Sequence, residues 1–345
     1  MPDIALAALE GFAQELLTLR GVPPEDARII ADSIRFAHAY GKGTHGITRL
    51  SIYDARLRKG LMQPRTPLDV LSDAPAMALL DAGDGFGQVA AIRGMDRAVD
   101  MARACGIAAV GIRNSHNFGT AAFVAHQAVQ AGMVGMVFSN AAPAIAPTGG
   151  HKAVFGTNPL AFGFPTPEGV PPILLDMATS QAARGKIRLA ATQGEAIPLG
   201  WALDPDGQPT TDAEAALAGS MLPVGGAKGY GLSLMIDVLA GLLTGSGFGG
   251  GAKNLNTPDG PSRCGHMLIA LDLARFLPRA EYDAHIATLI AATKSAGPDG
   301  QIALPGERGA RFMQGRDGKV PISDAVLARL DALAGDADIR PLGQR

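Results

Sequence analysis

The chain has 345 residues, 47% of them hydrophobic and 18% charged, with a formal net charge of −2. That is enough apolar side chain to bury a sizeable core in one large or two smaller domains, and a near-neutral balance without a basic stripe offers no electrostatic hold for nucleic acid or an anionic membrane. Cys105 and Cys264 are the two cysteines and lie far apart, so neither a disulfide framework nor a metal knuckle is expected, and a reducing, cytoplasmic setting fits.

The first segment, MPDIALAALEGFAQELL, carries Asp3, Glu10 and Glu15 and lacks the basic start of a signal peptide. Residues 1–60 read as helical. Leu9, Phe12 and Leu16 recur at helical spacing, and Pro23-Pro24-Glu25-Asp26 opens a second helix with proline at its start and acids in its first turn. A third helix is expected after Thr44-His45-Gly46, carrying Leu50, Tyr53 and Leu57 and stopping at Gly60. From about residue 68 short apolar runs alternate with helices. Strands are expected at 76–80, 107–112, 134–139, 160–164, 173–176 and 266–272, and helices at 88–104, 120–131, 228–243 and 279–294. Gly106 and Gly132 each end a helix and lead into a strand, which points to α/β or α+β architecture. A last helix is expected at 323–334, with Ser323 as its cap and Gly335 just past its end. The stretch 246–261 is rich in Gly, Pro and Asn and reads as a mobile loop or lid.

Gly245-Ser246-Gly247-Phe248-Gly249-Gly250 spells the G-x-G-x-x-G motif. That motif cradles a pyrophosphate only when a strand precedes it and a helix follows. Here a helical run precedes and a proline-containing loop follows, so the Rossmann reading is set aside for a plain glycine loop. HExxH, Walker A, GxSxG and paired CxxC patterns do not occur.

Seven histidines are present. His38, His126 and His285 lie in helical patterns and read as packed or surface side chains, and His151 and His266 are ambiguous. His45 stands in Gly43-Thr44-His45-Gly46-Ile47-Thr48-Arg49. Imidazole titrates near neutral pH and can move the proton that accompanies hydride transfer. Arg49 lies four residues on, the spacing that shares one helical face, and a guanidinium can clamp a carboxylate through two parallel hydrogen bonds. The alternative is a helix start capped by Thr44, with Arg49 a surface charge. His116 stands in Asn114-Ser115-His116-Asn117-Phe118-Gly119-Thr120 between a strand and a helix, where free amides can meet a phosphate or where an ordinary capped turn can sit. Gly156-Thr157-Asn158-Pro159, Leu175-Asp176-Met177-Ala178-Thr179-Ser180 and Gly225-Gly226-Ala227-Lys228-Gly229 are further polar or glycine-rich junctions.

Together the segments THGITRLSIYDARLRKGLM, NSHNFGTAAF, APTGG, GTNPLAF, LDMATSQAARGKI, IPLGWALD, GGAKGYGLSLM, GHMLIALD and PGE, in this order and spread over nearly the whole chain, resemble the malate/L-lactate/sulfolactate dehydrogenase family. That family also includes ureidoglycolate dehydrogenase, diketogulonate reductase and Δ1-piperideine-2-carboxylate/Δ1-pyrroline-2-carboxylate reductase. The resemblance implies a helical domain built from both termini (1–72 and 306–345) and an α/β domain (73–305) whose mainly antiparallel, non-Rossmann sheet binds NAD or NADP. It implies a homodimer with the active site near the subunit boundary. His45 matches the proton donor, assisted by Thr44, although some members assign the catalytic base to the position of His116. Arg49 matches the holder of the substrate carboxylate, and Thr157 a substrate contact. Matched to cofactor-contacting segments are His116, Asn117, Phe118, Gly119 and Thr120, then Asp176, Met177 and Ala178, then Lys228, then Pro305, Gly306 and Glu307. No metal site is implied.

Two departures stand out. Thr44 replaces a frequent serine and keeps its hydroxyl. Lys186 stands where the imino-acid reductases carry the aspartate of a Ser–His–Asp relay, which favours an oxo acid over an imino acid. The expected activity is nicotinamide-dependent hydride transfer at C2 of a small 2-oxo or 2-hydroxy acid. The rivals are reduction of a cyclic imino acid and a non-catalytic nucleotide-binding relative.

Overall fold

The computed structural model describes residues 1–298 and 300–345. The chain opens with β1 (Asp3–Ala5), α1 (Leu6–Leu19), α2 (Pro24–Ala39) and α3 (Leu50–Arg58). Pro24 and the first-turn acids Glu25 and Asp26 start α2 as expected, because proline lacks an amide that the first turn leaves unpaired anyway. The third helix begins later than expected. Residues Gly43–His45 and Ile47–Arg49 form two separate 3-10 turns, broken at Gly46, before α3 proper.

Next come β2 (Asp69–Ala74), β3 (Met77–Asp81), α4 (Gly87–Cys105), β4 (Ile107–Ser115), α5 (Ala121–Gln130), β5 (Val134–Ser139), β6 (Leu160–Phe164) and β7 (Ile173–Met177). Gly106 and Gly132 take φ of +86° and +78°, a left-handed turn open to glycine, and each ends its helix there. A small lobe follows: α6 (Arg184–Gln193), β8 (Ala202–Leu203), β9 (Pro209–Thr210), α7 (Ala213–Ala218) and β10 (Ser220–Met221). The chain then runs through α8 (Ala227–Ile236), a π-helical stretch Asp237–Leu242, β11 (Cys264–Leu271), α9 (Arg279–Lys294), α10 (Glu307–Phe312), β12 (Lys319–Pro321) and α11 (Asp324–Ala337).

Seven strands form one sheet in the order β2-β3-β4-β11-β5-β6-β7. Only the β3–β4 pair is parallel, with α4 as its crossover; the remaining pairs are antiparallel. The architecture is therefore mixed α/β. Helices α4 and α5 pack on one face and bury Val110, Ile112, Val137 and Leu268. The α8–π segment packs on the other, through Ile236 and Ala240 against Leu160. A second core joins α1, α2, α3 and α11 around Phe12, Leu16, Ile30, Ile47 and Tyr53. Its ends are tied by β1 pairing antiparallel with β12, Ile4 opposite Val320.

Strand β2 escaped the sequence reading because all six of its residues are exposed, so it shows no apolar alternation; its pairing with β3 is what makes it a strand. The C-terminal helix also runs past its expected stop. It passes through Gly335 to Ala337 and ends where Asp338 turns left-handed (φ 54°). An interior glycine weakens a helix but does not oblige it to stop.

Candidate active site

The segment between α2 and α3 is shaped by a histidine that the sequence reading left as packing. His38, near the end of α2, is 5% exposed, and its Nε2 accepts a hydrogen bond from the Ile47 amide at 3.0 Å. Its ring sits between two glycines. A Cβ on Gly43 would come within 3.2 Å of the ring, and one on Gly46 within 2.4 Å. The chain therefore closes over the His38 ring only because both positions lack side chains. Burial pushes the His38 imidazole down to about 4, so it stays neutral and keeps a lone pair for Ile47.

His45 and Arg49 thus come from two 3-10 turns rather than one helical face. Thr44 Oγ1 lies 3.2 Å from His45 Nδ1, which leaves Nε2 for another partner. The Arg49 Nε donates to the Thr44 carbonyl at 3.0 Å, leaving the two terminal nitrogens free. Burial, then the neighbouring Arg49, depress the His45 imidazole to about 4, with Asp176 opposing and Lys42 adding to the fall. Asp176, near the end of β7, takes a 2.6 Å ion pair from Lys42, three residues beyond the α2 end and absent from the sequence-derived site.

Arg49 lines a cleft of about 190 Å³ together with Asn117, Thr157, Arg184, Arg188, Lys253 and Asn254. Such a volume lies below the usual range for drug-sized ligands and suits a small acid. The remaining wall is contributed by residues 141–144 and by Gly185, Leu255, Asn256, Ser262 and Cys264. The loop at 253–257 is not loose. Arg56 of α3, 3% exposed, donates to the carbonyls of Leu255 (3.2 Å), Thr257 (3.0 Å) and Gly260 (2.6 Å) and holds it as a wall. The glycine run before it is pinned too, by Gly249 N to Asp237 (2.8 Å) and Asn140 Nδ2 to the Gly247 carbonyl (2.5 Å). A helical segment precedes that run and a loop follows it.

The other expected residues divide. From the His116–Thr120 loop only Asn117 reaches the cleft. His116 is 0% exposed, and neither ring nitrogen has a hydrogen-bond partner. Burial first, and then Arg56, press it down to about 3. Phe118 is buried against His266, with ring centroids 4.7 Å apart, and Thr120 is buried at the start of α5 without capping it. Gly119 approaches the His45 carbonyl. His266 is a structural bridge, its nitrogens 2.9 Å from Ser139 on β5 and 2.9 Å from Ser115 on β4. Met177 is the last residue of β7 and Ala178 follows it. Glu307 is committed to its own surroundings. It pairs with Lys294 (2.6 Å) and Arg311 and accepts the Leu304 amide, while the Pro305 carbonyl takes Leu174 N at 3.0 Å and so docks the Pro305-Gly306-Glu307 turn on β7. Lys228 is exposed in the first turn of α8, after Gly225 and Gly226 at φ +60° and +64°. Lys186 lies in α6 with its Nζ 6.0 Å from the centroid of the Trp201 ring.

Arg184, Arg188 and Lys253 were not picked out as site residues from sequence. The signal available was the four-residue spacing of the two arginines on a helix, which is common on surfaces and so carries little by itself.

Comparison with known proteins places this geometry. The family described as malate/L-lactate dehydrogenase matches residues 4–331. The chain is 39% identical to a (2R)-3-sulfolactate dehydrogenase (NADP(+)) from Chromohalobacter salexigens, over 96% of this chain and 98% of that one. It is 37% identical to a Δ1-pyrroline-2-carboxylate reductase from Ancylobacter novellus, over 96% and 97%. Among solved structures, the sulfolactate dehydrogenase from Methanocaldococcus jannaschii superposes with a TM-score of 0.92 at 32% identity, covering 99% of both chains. A match running from the first strand into the last long helix leaves one assignment: this chain belongs to the malate/L-lactate dehydrogenase family of oxidoreductases.

Proposed function

We propose that this oxidoreductase moves a hydride between a nicotinamide dinucleotide and C2 of a small 2-oxo or 2-hydroxy acid. The observation that carries the reading is one short segment presenting an imidazole and a free guanidinium edge together, beside a small cleft lined by cations. Arg49 uses its terminal nitrogens to hold the substrate carboxylate. Thr157 and Asn117 supply hydrogen bonds at the same cleft. His45, rather than the fully enclosed His116, is the acid/base. With its Nδ1 toward Thr44, its Nε2 is free to exchange a proton with the substrate oxygen.

Protonation follows from the charges. Before substrate binds, His45 is neutral at pH 7 and ready to accept the hydroxyl proton during oxidation. A bound carboxylate cancels the Arg49 field, which raises the imidazole and lets it return the proton during reduction. A bound nicotinamide supplies the hydride donor or acceptor. The start of α8 fits its diphosphate, with an uncapped first turn, two glycines in left-handed geometry, and Lys228 without a hydrogen bond or ion pair among the described residues. Asp176, Met177 and Ala178 at the end of β7, flanked by the Pro305-Gly306-Glu307 turn, form the neighbouring edge of that site.

In this reading the helical part (1–72 with 306–345) supplies the acid/base, and the α/β part (73–305) holds the cofactor without a Rossmann motif. The exposed strip of Leu232, Met235, Leu242, Leu243 and Phe248 is covered by a second copy of the chain. No helix among the described residues is long and apolar enough to cross a membrane, and we place the enzyme in the cytoplasm. Reduction of a cyclic imino acid is the second reading, favoured by the likeness to the pyrroline-2-carboxylate reductase.

The test is oxidation of NADH and of NADPH against a panel of 2-oxo acids and cyclic imino acids, repeated with His45→Ala. Turnover of 2-oxo acids is expected, falling by about 10²–10⁴-fold in the variant while cofactor binding persists. Undiminished turnover in His45→Ala would remove His45 from the mechanism.

A further inference from the structure

We infer that Lys42 is a positioning residue: through its ion pair with Asp176 it pins the segment carrying His45 and Arg49 to the sheet edge that holds the cofactor. What the pinned segment does rests on the proposed function; that it is pinned at this one point rests on the hydrogen bonds of the protein.

The backbone fixes Lys42 before its side chain makes any contact. Helix α2 ends over Gly41 in the left-handed region (φ +70°), with the Gly41 amide on the His38 carbonyl at 3.0 Å and the Lys42 amide on the Ala37 carbonyl at 2.7 Å. That pair of bonds closes a helix over a glycine and sets the course of the residue after it. The Lys42 carbonyl then accepts the His45 amide at 2.9 Å, so the lysine is also the base of the first 3-10 turn. Asp176 is placed by strand alternation. Leu175 and Met177 pack with Ile236 and Ala240 of the α8–π segment, whereas Leu174 packs with Phe36 of α2. Two residues beyond Leu174, Asp176 shares the face turned toward α2. Its side chain is 12% exposed and meets Lys42 Nζ at 2.6 Å.

The contact stands alone. Among the described residues, every other hydrogen bond of residues 41–49 ends inside the helical part: Ile47 on His38, Thr44 on His45, Arg49 on the Thr44 carbonyl, and Thr48 on the carbonyls of Gly43 and Thr44. The helical part is docked on the α/β part elsewhere, by Asp26 with Arg93, by the Tyr53 hydroxyl accepting from Gln88, and by Arg56 on the 255–260 loop. None of these reaches 41–49. Loss of the Lys42 ammonium therefore frees the segment without undocking the body.

The pair also sets the charge around the imidazole. Arg49 and Lys42, on the segment itself, press the proton affinity of His45 down, and Asp176, on β7, holds it up. While Lys42 sits on the Asp176 carboxylate, the two fields largely cancel at His45. Without Lys42 the carboxylate acts unmasked, and the imidazole should protonate at higher pH.

The experiment compares the parent with Lys42→Met, Lys42→Arg, Asp176→Asn and the double variant Lys42→Met/Asp176→Asn. Hydrogen–deuterium exchange reads the pinning and needs no turnover. Lys42→Met is expected to speed exchange over residues 43–49 by about tenfold, while α4 and β4 keep their protection. Its thermal midpoint should stay within about 2 °C of the parent, because a half-exposed ion pair adds little to global stability. The double variant should exchange over 43–49 like Asp176→Asn alone, since each partner acts through the other. Kinetics are measured as oxidation of the 2-hydroxy acid matching the best 2-oxo acid of the panel. Lys42→Met is expected to lower kcat by about 10–100-fold and to move the acid limb of kcat/KM up by about half to one pH unit. Lys42→Arg, which keeps charge and reach, should restore most of both. A lysine that only stabilised the fold would lower the thermal midpoint and loosen all segments alike, leaving the acid limb in place. Unchanged exchange over 43–49 in Lys42→Met, or an acid limb that does not move, overturns the inference. If nothing is turned over but 43–49 loosens in Lys42→Met and stays protected in Lys42→Arg, the pinning stands and the proposed reaction falls.

Discussion

Replacing Gly46 by alanine tests how the site is held. The added Cβ would lie 2.4 Å from Cδ2 and 2.5 Å from Nε2 of His38, a side chain 5% exposed on an interior helix face. Something must move. If the ring shifts, overpacking costs about 1–3 kcal/mol. If the 3-10 turns shift, the Ile47 amide, on a fully buried residue, loses its acceptor at 3.0 Å, at a cost of about 1–3 kcal/mol. The two costs overlap, and a net destabilisation of about 2–4 kcal/mol is expected by urea unfolding. A displacement near 1 Å between His45 and Arg49 further predicts about a 10²-fold fall in turnover. Gly335→Ala is the matched control. That position is interior to α11 with nothing within 4 Å of a new Cβ, so it should gain about 0.5–1 kcal/mol and leave turnover unchanged. The double variant His38→Ala/Gly46→Ala should be less damaged than the sum of its singles, because removing the ring vacates the space. A Gly46→Ala protein as stable and as active as the parent would refute the view that His38 is the platform for the 43–49 segment.

The buried histidines predict acid sensitivity. His38 is pushed down to about 4, and His116 and His266 to about 3, all chiefly by burial, with Arg56 adding to it at His116. Their unfolded values lie near 6.5, so between that value and the folded ones the unfolded chain binds more protons. The stability tied to their neutral state is complete above about pH 6.5 and is lost as pH falls, at about 1.4 kcal/mol per pH unit for each histidine. Urea unfolding at about pH 7 and about pH 5 should show this loss, and equal stability at both would count against it. Arg56→Ala removes three hydrogen bonds to the 255–260 loop and should cost about 2–4 kcal/mol, expose that loop to proteolysis and raise KM, since the loop carries Lys253 and Asn254 to the cleft. A loop equally protected from protease in this variant would show that other contacts hold it.

What could be read without coordinates was whatever repeats locally. Helix Arg279–Lys294 and strands Val134–Ser139 and Leu160–Phe164 lie where periodicity placed them, because the pattern that a helix or strand must bury is written in consecutive residues. The setting of the Gly245–Gly250 segment, a helical stretch before it and a loop after it, was likewise legible from its neighbours. The pairing of Thr44, His45 and Arg49 was legible as a cluster, and the family as a set of ordered motifs. Their geometry was not. The 43–49 segment bends at Gly46 because a ring nine residues earlier in the chain needs room at Ile47. In the loop after β4, His116 is swallowed while Asn117 next to it faces the cleft, a choice made by what packs above and below. Lys42 finds Asp176 across 134 residues, and Arg49, Arg184, Arg188 and Lys253 meet across more than two hundred. A sequence states that a cation exists but not whether a carboxylate folds back against it. Electrostatic compensation acts through space between segments distant in the chain, so only the tertiary structure decides which charges are left free for a ligand.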